Sequence, residues 1–164
     1  HLQEKMVAYC AKRFIVIADY TKQSKNLCNN YKRGVPLSFQ AKSISYLEYY
    51  TVKNLKEKVQ SLKDRDIKCK LRMAKHKAGP VITDEGHMVY DIDFDGILEC
   101  DDVENINNVL QMIPGVVETG LFVGMAEMAY YGQIDGSVIK QTKDKTVTIK
   151  PSGSNDTDEQ KEDK

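Results

Sequence analysis

The sequence has little that assigns a function by composition alone. Its 24 Lys and Arg are matched by 24 Asp and Glu, so the formal net charge is zero. Nothing global therefore favours nucleic acid or an anionic membrane surface as a partner. The longest apolar run is the handful of residues at 14–18, Phe-Ile-Val-Ile-Ala, far short of the roughly 20 residues that a bilayer-spanning helix needs. No Gly-rich dinucleotide motif is present, and no His, Asp or Glu cluster has metal-ligand spacing, so neither cofactor nor metal is expected. The four cysteines, Cys10, Cys28, Cys69 and Cys100, are scattered, with no C-x-x-C. They read as unpaired structural or surface thiols, which fits a reducing, cytosolic setting. The chain opens at His1 within what reads as a helix, with no basic-then-apolar leader. The expectation is that an upstream part exists and that any leader would lie there.

What is present is a globular balance: 164 residues, 41% hydrophobic and 29% charged, enough for one ordinary domain or two small ones. Leu2, Met6, Tyr9 and Cys10 fall on helical spacing and predict a helix over 2–12. The β-branched run at 14–18 predicts a strand buried on both faces, as in a parallel sheet. It ends at Asp19, followed by Lys22, where ligands gather past the carboxyl ends of α/β strands. Residues 23–34 are polar and turn-like, a connector.

A strand is expected over 35–41. Ile44, Leu47, Thr51, Leu55, Val59 and Leu62 then recur every three or four residues, with Lys53, Lys56, Glu57, Lys58 and Lys63 opposite, so an amphipathic helix follows. Strands are predicted at 68–74 and 87–94. The second alternates, with Met88, Tyr90, Ile92 and Phe94 on one buried face. Asp101 and Glu104 have capping-box spacing. Val103, Ile106, Leu110 and Ile113 form an apolar stripe that Pro114 and Gly115 stop. A last strand spans 116–123.

The order from 35 to 123 is strand, helix, strand, strand, helix, strand, which is the ferredoxin-like order. The fold class is therefore α/β: part of a Rossmann-like α/β domain with an inserted ferredoxin-like α+β small domain. The expected division is 1–30 with 124–142 for the first and 31–123 for the second. A tail over 143–164 begins with a weakly alternating stretch, Thr146 to Ile149, and turns polar and charged. Such a composition cannot offset ordering entropy, so disorder is expected there.

Four stretches resemble type A ribose-5-phosphate isomerase. They are Gln3-Glu-Lys5 with Arg13-Phe-Ile-Val-Ile-Ala-Asp19 and Lys22; Leu71-Arg-Met-Ala74 with Ala78-Gly-Pro-Val-Ile-Thr-Asp84; Met112-Ile-Pro-Gly-Val-Val-Glu-Thr-Gly-Leu-Phe122; and Asp135-Gly-Ser-Val138. The third is the most specific. The resemblance covers about 1–141, apart from 37–67, where the strand Pro36-Leu-Ser-Phe-Gln-Ala41 and a Tyr- and Lys-rich helix depart from the family pattern. Glu85-Gly-His-Met-Val-Tyr90 also stands where an Asn-Gly-Asn pattern is usual. The family's Thr-Gly-Ser-Thr-like, Asp-Gly-Ala-Asp and Lys-Gly-Gly-Gly segments are not in this chain. It therefore looks like the C-terminal portion of a family member, and by itself is expected to be weakly active or inactive.

The resemblance implies interconversion of ribose 5-phosphate and ribulose 5-phosphate through an enediol(ate), without a cofactor, by a homo-oligomer. It places Glu4 at the family's proton-transfer base and Lys22 at a substrate-holding lysine, plausibly through phosphate. By pattern alone, Glu4 reads as a first-turn glutamate that favours the helix dipole, and Lys22 as a solvated loop lysine. Asp19 either orients Lys22 or caps a turn. His76 and His87 receive no catalytic role.

Two other readings compete. One is a ferredoxin-like ligand-binding or regulatory module without catalysis, which would need neither Glu4, Lys22 nor a strand ahead of its first unit. The other is an RNA-binding domain of the same element order. That would need exposed stacking aromatics, whereas Tyr90 and Phe94 share the face predicted to be buried.

Overall fold

Helix-spaced apolar residues, short alternating runs and the turns between them fold this chain into two compact units. The computed structural model describes residues 1–150, and the remainder of the expected disordered tail, 151–164, lies outside the described residues. The first unit comprises His1–Val7 with Ser24–Val123, and the second Ala8–Gln23 with the described residues from Gly124 onward. Helix α1 (Leu2–Cys10) contributes to both units, and strand β1 (Ile15–Asp19) belongs to the second.

The first unit runs β2 (Val35–Phe39), α2 (Ile44–Lys58), β3 (Lys68–Leu71), β4 (Met88–Asp93), α3 (Cys100–Gln111) and β5 (Val116–Thr119). Its sheet has the order β3-β4-β2-β5 and every pair is antiparallel. Alternation decides which face is covered. Tyr90 and Ile92 of β4 and Val35, Leu37 and Phe39 of β2 point into one core, and the Phe39 and Tyr90 rings stack with centroids 4.6 Å apart. Leu47 and Leu55 of α2 and Ile106 and Leu110 of α3 close that core from the helix side, each with no accessible surface. Phe94 is buried with them, so neither Phe94 nor Tyr90 is available for base stacking. Thr51, on the same face of α2, carries a buried hydroxyl without a hydrogen-bond partner.

The start of α3 differs from expectation, and its end agrees with it. Helix α3 starts at Cys100 with Glu99 at its N-cap and no side-chain capping bond, so Asp101 lies within the first turn. Its carboxylate acts there on exposed amides and the helix dipole rather than as a capping box. At the other end, Gly115 takes φ +89, and a Cβ there would lie 1.9 Å from Ser43 Oγ, so the stop after α3 requires glycine on both counts.

The second unit holds a four-stranded sheet of order β1-β6-β7-β8, with β6 (Met128–Gly132), β7 (Val138–Gln141) and β8 (Thr146–Ile149). Strands β1 and β6 are parallel and the other pairs antiparallel. The stretch Thr146–Ile149, expected at the head of an unstructured tail, is therefore ordered as β8. Its ladder partners on β7 supply the backbone bonds that its composition could not foretell. Nor is β1 buried on both faces: Ile17 is 81% exposed. Ile15, Ile17 and Asp19 share one face of the strand, and that face is exposed among the described residues. Among the described residues, no helix is long and apolar enough to cross a membrane.

Candidate functional site

Helix α1 presents its two adjacent charges in opposite ways. Successive helical residues diverge by about 100°, so one can face solvent while the next faces inward. Glu4 lies in α1 with its side chain 77% exposed. Lys5 is buried. Its Nζ donates to Glu118 Oε1 at 2.7 Å and to Thr119 Oγ1 at 3.3 Å, and lies 5.4 Å from the centre of the Phe122 ring.

A wider network holds these acceptors. Glu118 Oε1 also accepts from Gln111 Nε2 at 3.0 Å and from the Thr119 amide at 2.8 Å. The Thr119 hydroxyl donates to Asn107 Oδ1 at 2.5 Å and accepts from the Leu121 amide at 3.3 Å. His1 Nε2 lies within hydrogen-bond distance of the Glu118 carbonyl and of Ser38 Oγ. Burial alone would push the Glu118 carboxyl up, but the Lys5 ammonium, the Thr119 amide and the Gln111 carboxamide together hold it below the usual carboxylate range. The Glu118-Thr-Gly120 segment can lie this close to β2 because Gly120 has no side chain. A Cβ there would come 2.3 Å from Pro36 Cγ.

Lys22 lies in the other unit. It ends a single 3-10 turn, Tyr20–Lys22, that follows β1 directly, and it is exposed. Asp19, the last residue of β1, caps that turn: its Oδ1 accepts from the Thr21 amide at 2.8 Å and from the Thr21 hydroxyl. The Thr21 hydroxyl and amide bonds hold the Asp19 carboxyl below its ordinary range, with a smaller contribution from the Lys22 charge. Of its two expected roles, Asp19 thus fills the capping one. Ahead of the parallel strands β1 and β6, Arg13 forks onto Glu127, with Nε to Oε2 and Nη2 to Oε1 both 2.8 Å.

Glu4 thus lies in the first unit and Lys22 in the second. Sequence reasoning named both and assigned no role to Lys5 or Glu118, although each stands inside a quoted motif. The available signal was one charge of each sign inside motifs 113 residues apart. Among the described residues, no group of three or more His, Cys, Asp and Glu side chains converges as metal ligands would.

Comparison with known proteins gives one consistent match. The family model for ribose 5-phosphate isomerase A (phosphoriboisomerase A) matches residues 1–136. The ribose-5-phosphate isomerase of Dictyostelium discoideum is 43% identical over 136 residues, covering 83% of this chain and 54% of its own length. The solved ribose 5-phosphate isomerase A of Methanocaldococcus jannaschii superposes with a TM-score of 0.67 at 29% identity, over 87% of this chain and 55% of that one. A D-ribose-5-phosphate isomerase solved in complex with phospho-erythronic acid gives 0.69 at 31% identity, over 87% of this chain and 55% of that one. The chain thus spans about half the length of the relatives it matches. None of these matches supports a stand-alone regulatory module.

Proposed function

The chain belongs to the ribose 5-phosphate isomerase A family, and from that premise we propose that its protein interconverts D-ribose 5-phosphate and D-ribulose 5-phosphate. The carboxylate of Glu4 takes the C2 proton of the open-chain aldose. The C–H electrons form a C1=C2 bond, and the aldehyde oxygen becomes an enediol(ate) oxygen that takes the proton of the C2 hydroxyl. Glu4 then returns its proton to C1, and C2 closes to the ketone. One carboxylate serves both carbons because each lies within hydrogen-bond reach of it in turn. Lys22 holds the phosphate as a point charge.

The observation that carries this reading is the pairing of a family match over 1–136 with a Glu4 carboxylate that is exposed while its neighbour Lys5 is buried. A base must be reachable by substrate, and the exposure of the Glu4 side chain supports that role. On the same premise we read the antiparallel unit, 31–123 by sequence and Ser24–Val123 by packing, as a ferredoxin-like insertion. The remainder, 1–30 with 124–142 by sequence, we read as part of a Rossmann-like domain. The order β3-β4-β2-β5 supports the first assignment and the parallel β1–β6 pair the second. The resemblance also carries a cytoplasmic, homo-oligomeric protein, for which sedimentation of the purified protein is the check on assembly.

The test uses a hybrid enzyme in which residues 1–136 replace the segment they match in the Dictyostelium relative. In D2O the hybrid should convert ribose 5-phosphate to ribulose 5-phosphate carrying deuterium at C1, because a carboxylic acid exchanges its proton with solvent. Absence of conversion, in a folded hybrid, would contradict the proposal. Lys22→Met should raise KM for the phosphorylated sugar and leave unphosphorylated ribose unaffected. The 164-residue chain assayed alone should turn over slowly at most, because the family's Thr-Gly-Ser-Thr-like segment is not among its residues.

A further inference from the structure

We propose that Lys5 is a positioning residue for Glu4, acting through its part-buried ion pair with Glu118; this rests on the reading of Glu4 as the proton-transfer base. Proton transfer between two adjacent carbons tolerates little misplacement of the carboxylate. The Glu4 side chain is exposed, so its own packing does not fix the backbone that carries it, and a contact from outside the helix is needed to do so.

Lys5 supplies that constraint. Its ammonium is tied at once to the carboxylate of Glu118 and the hydroxyl of Thr119, both on β5, and Thr119 has no accessible surface. Each acceptor is tied again to α3, Glu118 through Gln111 and Thr119 through Asn107. The base is thus one peptide unit away from a side chain locked to both a strand and a helix of the first unit. Stability alone explains this arrangement poorly, because a well-packed apolar pair often serves a buried position as well as an ion pair does. An ion pair with several directional bonds fixes one geometry, which an apolar contact does not.

The test is a double-mutant cycle on the hybrid enzyme, with kcat and KM measured separately and folding followed by circular dichroism. Lys5→Met should lower kcat by about 100-fold, the scale expected of an ångström-sized misplacement of a reacting group, with KM near its starting value. Lys5→Arg, which keeps the charge and the donors, should retain most of the rate. In a Glu4→Gln background, Lys5→Met should cost little more, because the group it positions is already disabled. An equal loss in both backgrounds would overturn the positioning role and leave the base assignment intact. Unchanged kcat in Glu4→Gln alone would instead remove the base assignment, and this proposal with it. Should Lys5→Met fail to fold, Glu118→Gln replaces it in the same cycle and is read the same way.

Discussion

The two units contain similar apolar residues and bury them very differently. In the first, Leu37, Phe39, Leu47, Leu55, Ile92, Ile106 and Leu110 have no accessible surface. In the second, among the described residues, Ala8 and Ser137 alone are buried, while Ile17 and Ile134 are more than four-fifths exposed. The first unit has helices over its sheet, and α2 and α3 complete the core that β2 and β4 begin. The second has a sheet whose edge strand, β1, carries the most apolar run in the sequence. A continuous apolar run therefore reports that a strand requires cover on both faces, and not that its own segment supplies it.

That contrast predicts a hierarchy of mutational effects. The largest lies in the first core: Phe39→Ala should cost about 3–5 kcal/mol, read from urea denaturation with hydrogen exchange resolved by unit. A cost under that range, with the first unit's amides still protected, would show that the stacked Phe39–Tyr90 pair is not central.

The next concerns pH. The folded Glu118 carboxyl lies below its ordinary value, so its contribution to stability is fully present above the unfolded carboxylate pKa of about 4.3. It fades as pH falls through that value toward the folded one. Glu118→Gln should therefore flatten the acid limb of the first unit's stability profile. A limb of unchanged slope would contradict the network.

A smaller, opposite effect is expected at Thr51. Thr51→Val removes a buried hydroxyl that has no partner and keeps the shape, so it should be neutral or stabilising by about 1 kcal/mol. The smallest effect belongs to the second unit, where Ile17→Thr at the exposed edge strand should change the chain's stability by no more than about 0.5 kcal/mol. A loss of several times that amount would erase the contrast between the units.

Much of the first unit was legible because its signals are local. The spacing Leu47, Thr51, Leu55 defines a face that one helix must bury, and the alternation of Tyr90, Ile92 and Phe94 defines the inner side of a strand. Gly115 after Pro114 marks a stop because a left-handed residue ends a helix. What escaped depends on contacts between distant segments. Exposure of Ile17 depends on whether another segment covers its face of the sheet, and order at β8 on its pairing with β7. The start of α3 moved because Glu99, rather than Asp101, takes the extended conformation that precedes the helix. Glu4 and Lys22 were found by motif. Lys5 and Glu118 stood within motifs too, but a part-buried ion pair becomes visible only when both ends are in place.

Whether the Glu4 carboxylate moves the proton is measured most directly by kcat of the Glu4→Gln hybrid. The prediction is a fall of about 100- to 10,000-fold, the range for loss of a general base, with KM for ribose 5-phosphate little changed. A kcat equal to that of the unsubstituted hybrid would contradict it.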